Sequence, residues 1–436
     1  MRTSLCSLTL IISSIVSLHA DPIITLKDND TWVMSGDSIT AQRLHTNYIE
    51  AYYRTRYPQL HLHFRNSGIG GNKTADILGR FDYDVAAWKP TIVSVELGMN
   101  DVNAAPTPEG YVAGMKKLAE QIRALPAQPL LFSSSPVNDG SLTGQWTSDR
   151  CQRLDAFTEA LKSMGKTEKI PVIDQYHALL DAWGKNRILV DATSLADRAA
   201  ALKPDSGVPG LEKLKAFATA WADQPHGIPL LGDAVHVRIP GQYCMAAVIL
   251  KGLGADGEVS SATIKPDGTV SDSSHCKITE ESAKDGKIAF TRLDECQPWP
   301  LPVAAAPALK LMPEIADLSR WMLTIPALPA GKYSASMDGT VVATLSNEEL
   351  AKGWNMSVLT EGPAATRATK ALALIEQLQS PLNLNWRAAS KSHDAAKLAD
   401  AEKAIEDCEA QIQTAVQPVA IKFEITPAVA AAPAKP

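Results

Sequence analysis

A three-layer α/β/α sandwich around a central parallel sheet, an α/β fold, is predicted for the first half of this 436-residue chain, followed by a smaller β-rich region and a helical hairpin. Three observations lead there. Between residue 31 and about residue 254, short apolar runs alternate with longer amphipathic stretches, the order expected of strands joined by crossover helices. Beyond about residue 255, Asp-Gly pairs separate β-like segments, and Asp-Gly is a tight-hairpin signal. Between about residues 362 and 416, apolar residues recur at helical spacing.

Taken in order, apolar runs predict strands at 31–35, 60–66, 91–97, 129–134 and 170–173, and helical patterns at 39–57, 74–88, 108–124, 148–164 and 241–251. In such a sheet, functional residues belong at the C-terminal ends of the strands. Asp267-Gly268, Asp285-Gly286 and Asp338-Gly339 then mark turns, the clearest lying between Tyr333–Met337 and Val341–Leu345. The Pro- and Ala-rich stretch Gln297–Pro307 reads as an internal linker. Two helices are expected around 362–379 and 393–416. In the second, Leu398, Ala401, Ile405, Cys408, Ile412 and Ala415 form a narrow stripe suited to packing on one other helix. The expected division is therefore a leader at 1–20, an α/β domain at 21–254, a β-rich accessory region at 255–350, a helical hairpin and final strand at 351–426, and a disordered Pro/Ala tail at 427–436.

Composition narrows the function classes. Apolar content of 45% and charged content of 21% are those of a globular protein, and a net charge of −6 offers no basic field for nucleic acid or anionic lipid. The N-terminus reads as an export signal: Arg2, a mainly apolar stretch from Leu8 to Leu18, and Ala20 before Asp21-Pro22, with cleavage expected after Ala20. No segment approaches the ~20 apolar residues of a membrane span. A secreted or periplasmic protein is the expectation. Export permits disulfides, and Cys276 with Cys296 is the best candidate pair, stabilising by about 3 kcal/mol in the chain-entropy model. Five unpaired thiols at Cys151, Cys244, Cys276, Cys296 and Cys408 are the alternative.

Gly36-Asp37-Ser38 stands behind the apolar run Trp32-Val33-Met34 and ahead of a helix-like stretch. A serine at a strand-to-helix turn suits a nucleophile, because glycine permits the turn and the helix N-terminus offers free N–H groups to developing negative charge. Ser38 then needs a base and an acid to orient it. Asp-x-x-His supplies both from one loop and occurs four times: Asp174/His177, Asp223/His226, Asp233/His236 and Asp272/His275. Asp233 and His236 lie in the loop just before the last helix of the α/β region and are the preferred pair. Asp174 and His177, following the strand at 170–173, are the main rival. Donors for a tetrahedral oxyanion can come from Asn66-Ser67-Gly68-Ile69-Gly70-Gly71-Asn72 after the second strand and Gly98-Met99-Asn100-Asp101 after the third. Asp101 is expected to anchor its turn. His61 and His63 alternate along the second strand and read as solvated side chains, not as a metal site.

The four blocks Gly36-Asp37-Ser38, Asn66-x-Gly68-x-x-Gly71, Gly98-x-Asn100-Asp101 and Asp233-x-x-His236 resemble, in order, those of the SGNH hydrolases, the GDSL family of serine esterases. The resemblance covers residues 31 to about 254. It implies Ser38 as nucleophile, an oxyanion hole from the N–H groups of Ser38 and Gly71 and the Asn100 amide, and Asp233 orienting His236 as base and then acid, with no metal or cofactor. Val237 stands where proline often follows the histidine, and Gly70-Gly71 leaves a one-residue ambiguity in the donor. In exported relatives of this type the family points to carbohydrate O-acetyl esters. A lysophospholipase or thioesterase can use the same apparatus, and a carbohydrate-binding protein on an inert scaffold is the reading from another class.

Overall fold

The computed structural model describes residues 22–104, 107–137, 148–224 and 226–428. The expected leader at 1–20 and most of the expected tail at 427–436 lie outside those residues.

The central sheet consists of β1 (Thr31–Gly36), β2 (His63–Gly68), β3 (Ile92–Glu96), β4 (Gln128–Phe132) and β5 (Val172–Ile173). All pairings are parallel, in the order β2-β1-β3-β4-β5. Its strands are buried on both faces, which is why they read as apolar runs. From β1 the chain crosses first to one side and then to the other, so the sheet reverses direction between β1 and β3. A crevice opens outside the strand ends at such a switch point. β2 starts later than the expected residue 60, because Asp28 holds His61 in the preceding loop through its backbone N–H (2.7 Å) and Nδ1 (3.0 Å). The two histidines thus do not share a strand face, and His63 pairs with Glu409 at 2.8 Å.

Helices α1 (Ser38–Ala41), α2 (His45–Arg56), α3 (Thr74–Asp84), α4 (Asp101–Ala104), α5 (Pro108–Arg123), α6 (Asp149–Glu168), α7 (Gln175–Ala201), α8 (Leu211–Trp221) and α9 (Ile239–Gly252) complete the α/β portion. α5 shows why the periodicity was legible: Thr107 caps its first turn, Pro108 starts it, and Tyr111, Met115, Leu118 and Ile122 bury one face. α7 was not expected. α7 buries Tyr176, Leu179 and Trp183 in its first half, then packs on α8 with Ile188 and Leu195 exposed, so no single stripe runs its length.

The second half adds β6 (Glu258–Ile264), β7 (Val270–Ser274), β8 (Cys276–Lys284), β9 (Lys287–Asp294), α10 (Ala308–Leu311), β10 (Arg320–Thr324), β11 (Lys332–Met337), β12 (Thr340–Ser346), α11 (Asn347–Lys352), β13 (Trp354–Asn355), α12 (Pro363–Gln377), α13 (Asn383–Ser392), α14 (Ala395–Ala415) and β14 (Ile421–Pro427). Two sheets form, β13-β10-β6-β7 and β12-β11-β14-β9-β8, with the last strand between β11 and β9. Asp285-Gly286 and Asp338-Gly339 both take positive φ, at 53° and 77° and at 48° and 81°, as two-residue hairpin turns require. The fully buried Arg292 joins the sheets, donating to Asp294 (2.7 Å), Ser260 (2.7 Å) and the Met322 carbonyl (2.9 Å).

Three expectations change here. Gln297–Pro307 is no loose linker: Trp299 is buried, stacks on Tyr243 with centroids 4.3 Å apart, and donates to the Tyr48 carbonyl. The expected helical hairpin is three helices, because Pro381 removes a backbone donor and a wider turn at Leu378–Leu382 separates α12 from α13. Cys276 and Cys296 are not joined, and all five cysteines among the described residues are free thiols. α14 docks on the α/β portion through the buried Glu409, which receives Arg65 (2.7 Å), Arg54 (3.4 Å) and His63. Burial alone would raise that carboxyl, but the Arg65 and Arg54 charges and the His63 and Arg65 hydrogen bonds hold it well below the usual carboxylate range.

Candidate active site

β1 ends at Gly36, and Asp37 caps α1 by accepting the Ile39 N–H at 2.9 Å, which leaves Ser38 as the first residue of the helix. Glycine is needed at two neighbouring points for close approach. A Cβ at Gly36 would lie 2.1 Å from Thr40 Oγ1, and one at Gly68 would lie 2.4 Å from the Ala41 N, so α1 sits directly on the ends of β1 and β2. At the first turn of a helix the Ser38 N–H has no intrahelical acceptor.

His236 Nε2 lies 2.8 Å from Ser38 Oγ, and its Nδ1 lies 2.9 Å from Asp233 Oδ2 and 3.1 Å from Oδ1. A carboxylate only accepts, so Nδ1 carries the proton and Nε2 is left to accept from the serine hydroxyl. Asp233 also accepts the backbone N–H groups of His236 (2.7 Å) and Val235 (2.8 Å). Those bonds, that of the His236 backbone foremost, lower its carboxyl to about 2 and keep it ionised. The loop is shaped by Gly232, at φ +80°, where a Cβ would lie 1.9 Å from the His236 carbonyl oxygen. Gly232 and Val237 bridge across it, and the Arg238 N–H donates to the Leu230 carbonyl.

The second block turns at Ile69–Asn72, closed by the Asn72 N–H to the Ile69 carbonyl at 3.2 Å, with Gly71 at φ +78°. A Cβ at Gly70 would point at Ser38 Cβ, 3.9 Å away. Both glycines of the ambiguous pair therefore lie on the turn that faces the serine. The Asn100 amide stands between the first two blocks, donating to Asp37 Oδ2 (3.1 Å) and the Asn72 carbonyl (3.2 Å). Both bonds are long, and an oxyanion would compete for the same donor. Asp101 accepts the Thr74 N–H and hydroxyl, each at 3.0 Å, and so ties α4 to the start of α3.

Behind the serine lies a buried polar layer that sequence reasoning missed. His45 Nε2 meets Glu96 Oε2 at 3.0 Å and Nδ1 meets Gln242 Oε1 at 2.6 Å. Burial works against a charge on His45, but Glu96 and these hydrogen bonds raise it above the ordinary histidine value. Gln175 donates to Glu96 at 2.8 Å, and Gln242 donates to Gln42 at 2.6 Å and to the carbonyl of Val237, the residue after His236. Asp37 is pushed up to about 7 by burial and by the nearby Glu96 charge. A lone glutamine in the otherwise apolar run of α9 was the available signal. Asn186 of α7 clamps the approach to the histidine loop, exchanging bonds of 2.7 Å with the Ile228 N–H and carbonyl.

The rival pairs are placed elsewhere. His177 meets Asp174 at 2.8 Å, but its other nitrogen meets Asp155 at 2.8 Å, so a carboxylate occupies the place a nucleophile would need. Glu159 adjoins the same exposed cluster, which Lys162 enters through bonds to Glu159 and Asp174. His275 pairs with Glu295, not Asp272. Asp223 and His226 are exposed and share no hydrogen bond among the described residues.

Residues 34–194 match the model of the GDSL-like lipase/acylhydrolase family. An acetylxylan esterase from Geobacillus stearothermophilus is 40% identical over 55 residues, 13% of this chain and 25% of that protein, so the match spans about a quarter of the relative's length. Among solved structures, a gut microbial diltiazem-metabolizing enzyme superposes with a TM-score of 0.71 at 19% identity, covering 93% of this chain and 99% of its own. The sandwich and the C-terminal sheets and helices are thus one shared fold. A structure of an acetylxylan esterase from G. stearothermophilus is similar at 19% identity and a TM-score of 0.37, over 52% of this chain and 95% of that one.

Proposed function

Residues 34–194 of this chain belong to the GDSL-like lipase/acylhydrolase family, and from that premise we propose a serine esterase that works through an acyl-enzyme. The carrying observation is the unbroken line from Ser38 Oγ through His236 to Asp233, at 2.8 and 2.9 Å. Ser38 attacks the ester carbonyl while His236 Nε2 takes its proton, and the Asp233 carboxylate stabilises the imidazolium that results. The carbonyl oxygen, now anionic, is held by the N–H groups of Ser38 and Gly71 and by the Asn100 amide. His236 returns the proton to the departing alcohol. Water then attacks the acyl group by the same route in reverse and frees Ser38.

The proposed substrate is a carbohydrate O-acetyl ester. The histidine loop is open, with the Asp233 side chain 66% exposed, which leaves room for a bulky alcohol portion. An acetylxylan esterase among the relatives is in keeping with this. Export, read from residues 1–20, belongs to the same proposal, and no described helix is long and apolar enough to cross a membrane.

The test is hydrolysis of 4-nitrophenyl acetate and of acetylated xylan by the mature protein and by Ser38→Ala. Acetate release that disappears in the variant is expected. Equal rates would overturn the esterase reading, and faster turnover of octanoyl or lysophospholipid esters would replace the substrate class.

A further inference from the structure

β2 is an edge strand of the central sheet, and alternate residues of a parallel edge strand point both backbone groups outward. Here those residues are Phe64, Asn66 and Gly68. They are met by side chains, not by another strand. A carboxamide carries the donor and acceptor of a peptide group, and Gln379 uses it as one: Oε1 accepts the Asn66 N–H at 3.0 Å, and Nε2 donates to the Phe64 carbonyl at 2.9 Å. One turn on, Asn383 donates to the Asn66 carbonyl at 2.9 Å, and a turn later Arg387 donates to it at 2.8 Å and to the Gly68 carbonyl at 3.3 Å. Gln379 and Asn383 are buried.

The strand held in this way feeds directly into the site. The Asn66 side chain donates to the Thr40 carbonyl of α1 at 2.8 Å and accepts the Gly68 N–H at 2.9 Å. It therefore joins the serine helix to the start of the glycine turn. That turn is fixed to β1 by the Ile69 N–H on the Gly36 carbonyl, and it ends at Asn72, whose carbonyl holds the Asn100 amide. We infer that Gln379, Asn383 and Arg387, on one face from the Leu378–Leu382 turn into α13, are positioning residues for the oxyanion donors. This rests on the esterase reading above and assigns the C-terminal helices a part in the reaction. Preorganised donors lose effect when displaced by fractions of an ångström. A side-chain clamp on the strand that precedes the turn limits that displacement.

The test compares full-length mature Gln379→Met, which keeps volume but deletes both strand bonds, the Gln379 donation to Glu50 (2.7 Å) and its acceptance from Asn383 (3.2 Å), with Ile412→Ala, a buried change on α14 away from these bonds. Gln379→Met is expected to lower kcat for 4-nitrophenyl acetate by about tenfold or more with little change in KM, and to speed amide hydrogen exchange in peptides covering 66–73. Ile412→Ala is expected to lower the melting temperature while leaving kcat and that exchange near wild type. Arg387→Lys, which keeps a cationic donor, should retain more kcat than Arg387→Met. An unchanged kcat in Gln379→Met, or a loss matched by Ile412→Ala at equal melting temperature, overturns the inference. If the wild type hydrolyses no ester, the esterase reading fails by itself and exchange decides: acceleration at 66–73 supports the clamp, and none overturns it.

Discussion

Asp233→Asn probes the histidine's proton directly. Asp233 Oδ1 sits on two backbone N–H groups at 2.7 and 2.8 Å, so an asparagine will place its oxygen there and its NH₂ where Oδ2 now stands, 2.9 Å from His236 Nδ1. That NH₂ can only donate. The NH₂ at 2.9 Å favours His236 accepting at Nδ1 and carrying its proton on Nε2, where Ser38 needs an acceptor, over donation to the oxygen 3.1 Å away. The geometry survives and the tautomer is wrong, a situation worth about 10³- to 10⁴-fold in kcat, or about 4 to 5 kcal/mol at 1.36 kcal/mol per tenfold. The assay is kcat and KM for 4-nitrophenyl acetate from pH 4 to 9, with circular dichroism to show an unchanged fold. Because the carboxyl is held down to about 2, it stays ionised across that range, and no limb of the wild-type profile belongs to it. A variant within tenfold of wild type would refute the reasoning.

Other outcomes follow from the same geometry. Asn100→Ala should raise the barrier by about 3 kcal/mol, read as a kcat loss near a hundredfold with KM little changed; undiminished turnover removes Asn100 from the oxyanion hole. Glu409→Gln should destabilise the fold by about 3 kcal/mol at neutral pH, since it leaves Arg65 buried without its counter-charge and Arg54 with Glu50 alone. The Glu409 carboxyl is lowered on folding, so its stabilisation is complete above the unfolded carboxylate range and is lost as pH falls. The melting-temperature gap between wild type and variant should therefore narrow on acidification from pH 6 to 3, and a constant gap would refute the assignment. Thiol titration of the urea-unfolded mature protein should count all five cysteines; two fewer would mean a disulfide.

How far the sequence could be read depended on the range of the interactions involved. The strands of the central sheet and helices such as α5 were legible because burial repeats locally, and the four blocks because each is a turn whose residues answer to their own backbone. α7 escaped because its two halves bury different faces. Gln297–Pro307 was misread because its small and apolar residues also suit close packing, as the buried Leu301 and Ala305 show. The order of elements puts His236, unlike His177, in the loop just before α9, and there its Nε2 meets Ser38 at 2.8 Å. The partners of Glu409, Arg387 and Gln379 could not be inferred, since each bond joins segments more than 300 residues apart.

The position of β14 also governs how this protein must be made. The strand lies between β9 and β11, antiparallel to both, although they are synthesised well before it. Until Ile421–Pro427 has emerged, β8-β9 and β11-β12 can exist only as separate hairpins, each with an apolar edge open to other chains. Closure of the sheet is thus a late, long-range event, of the kind that slows folding.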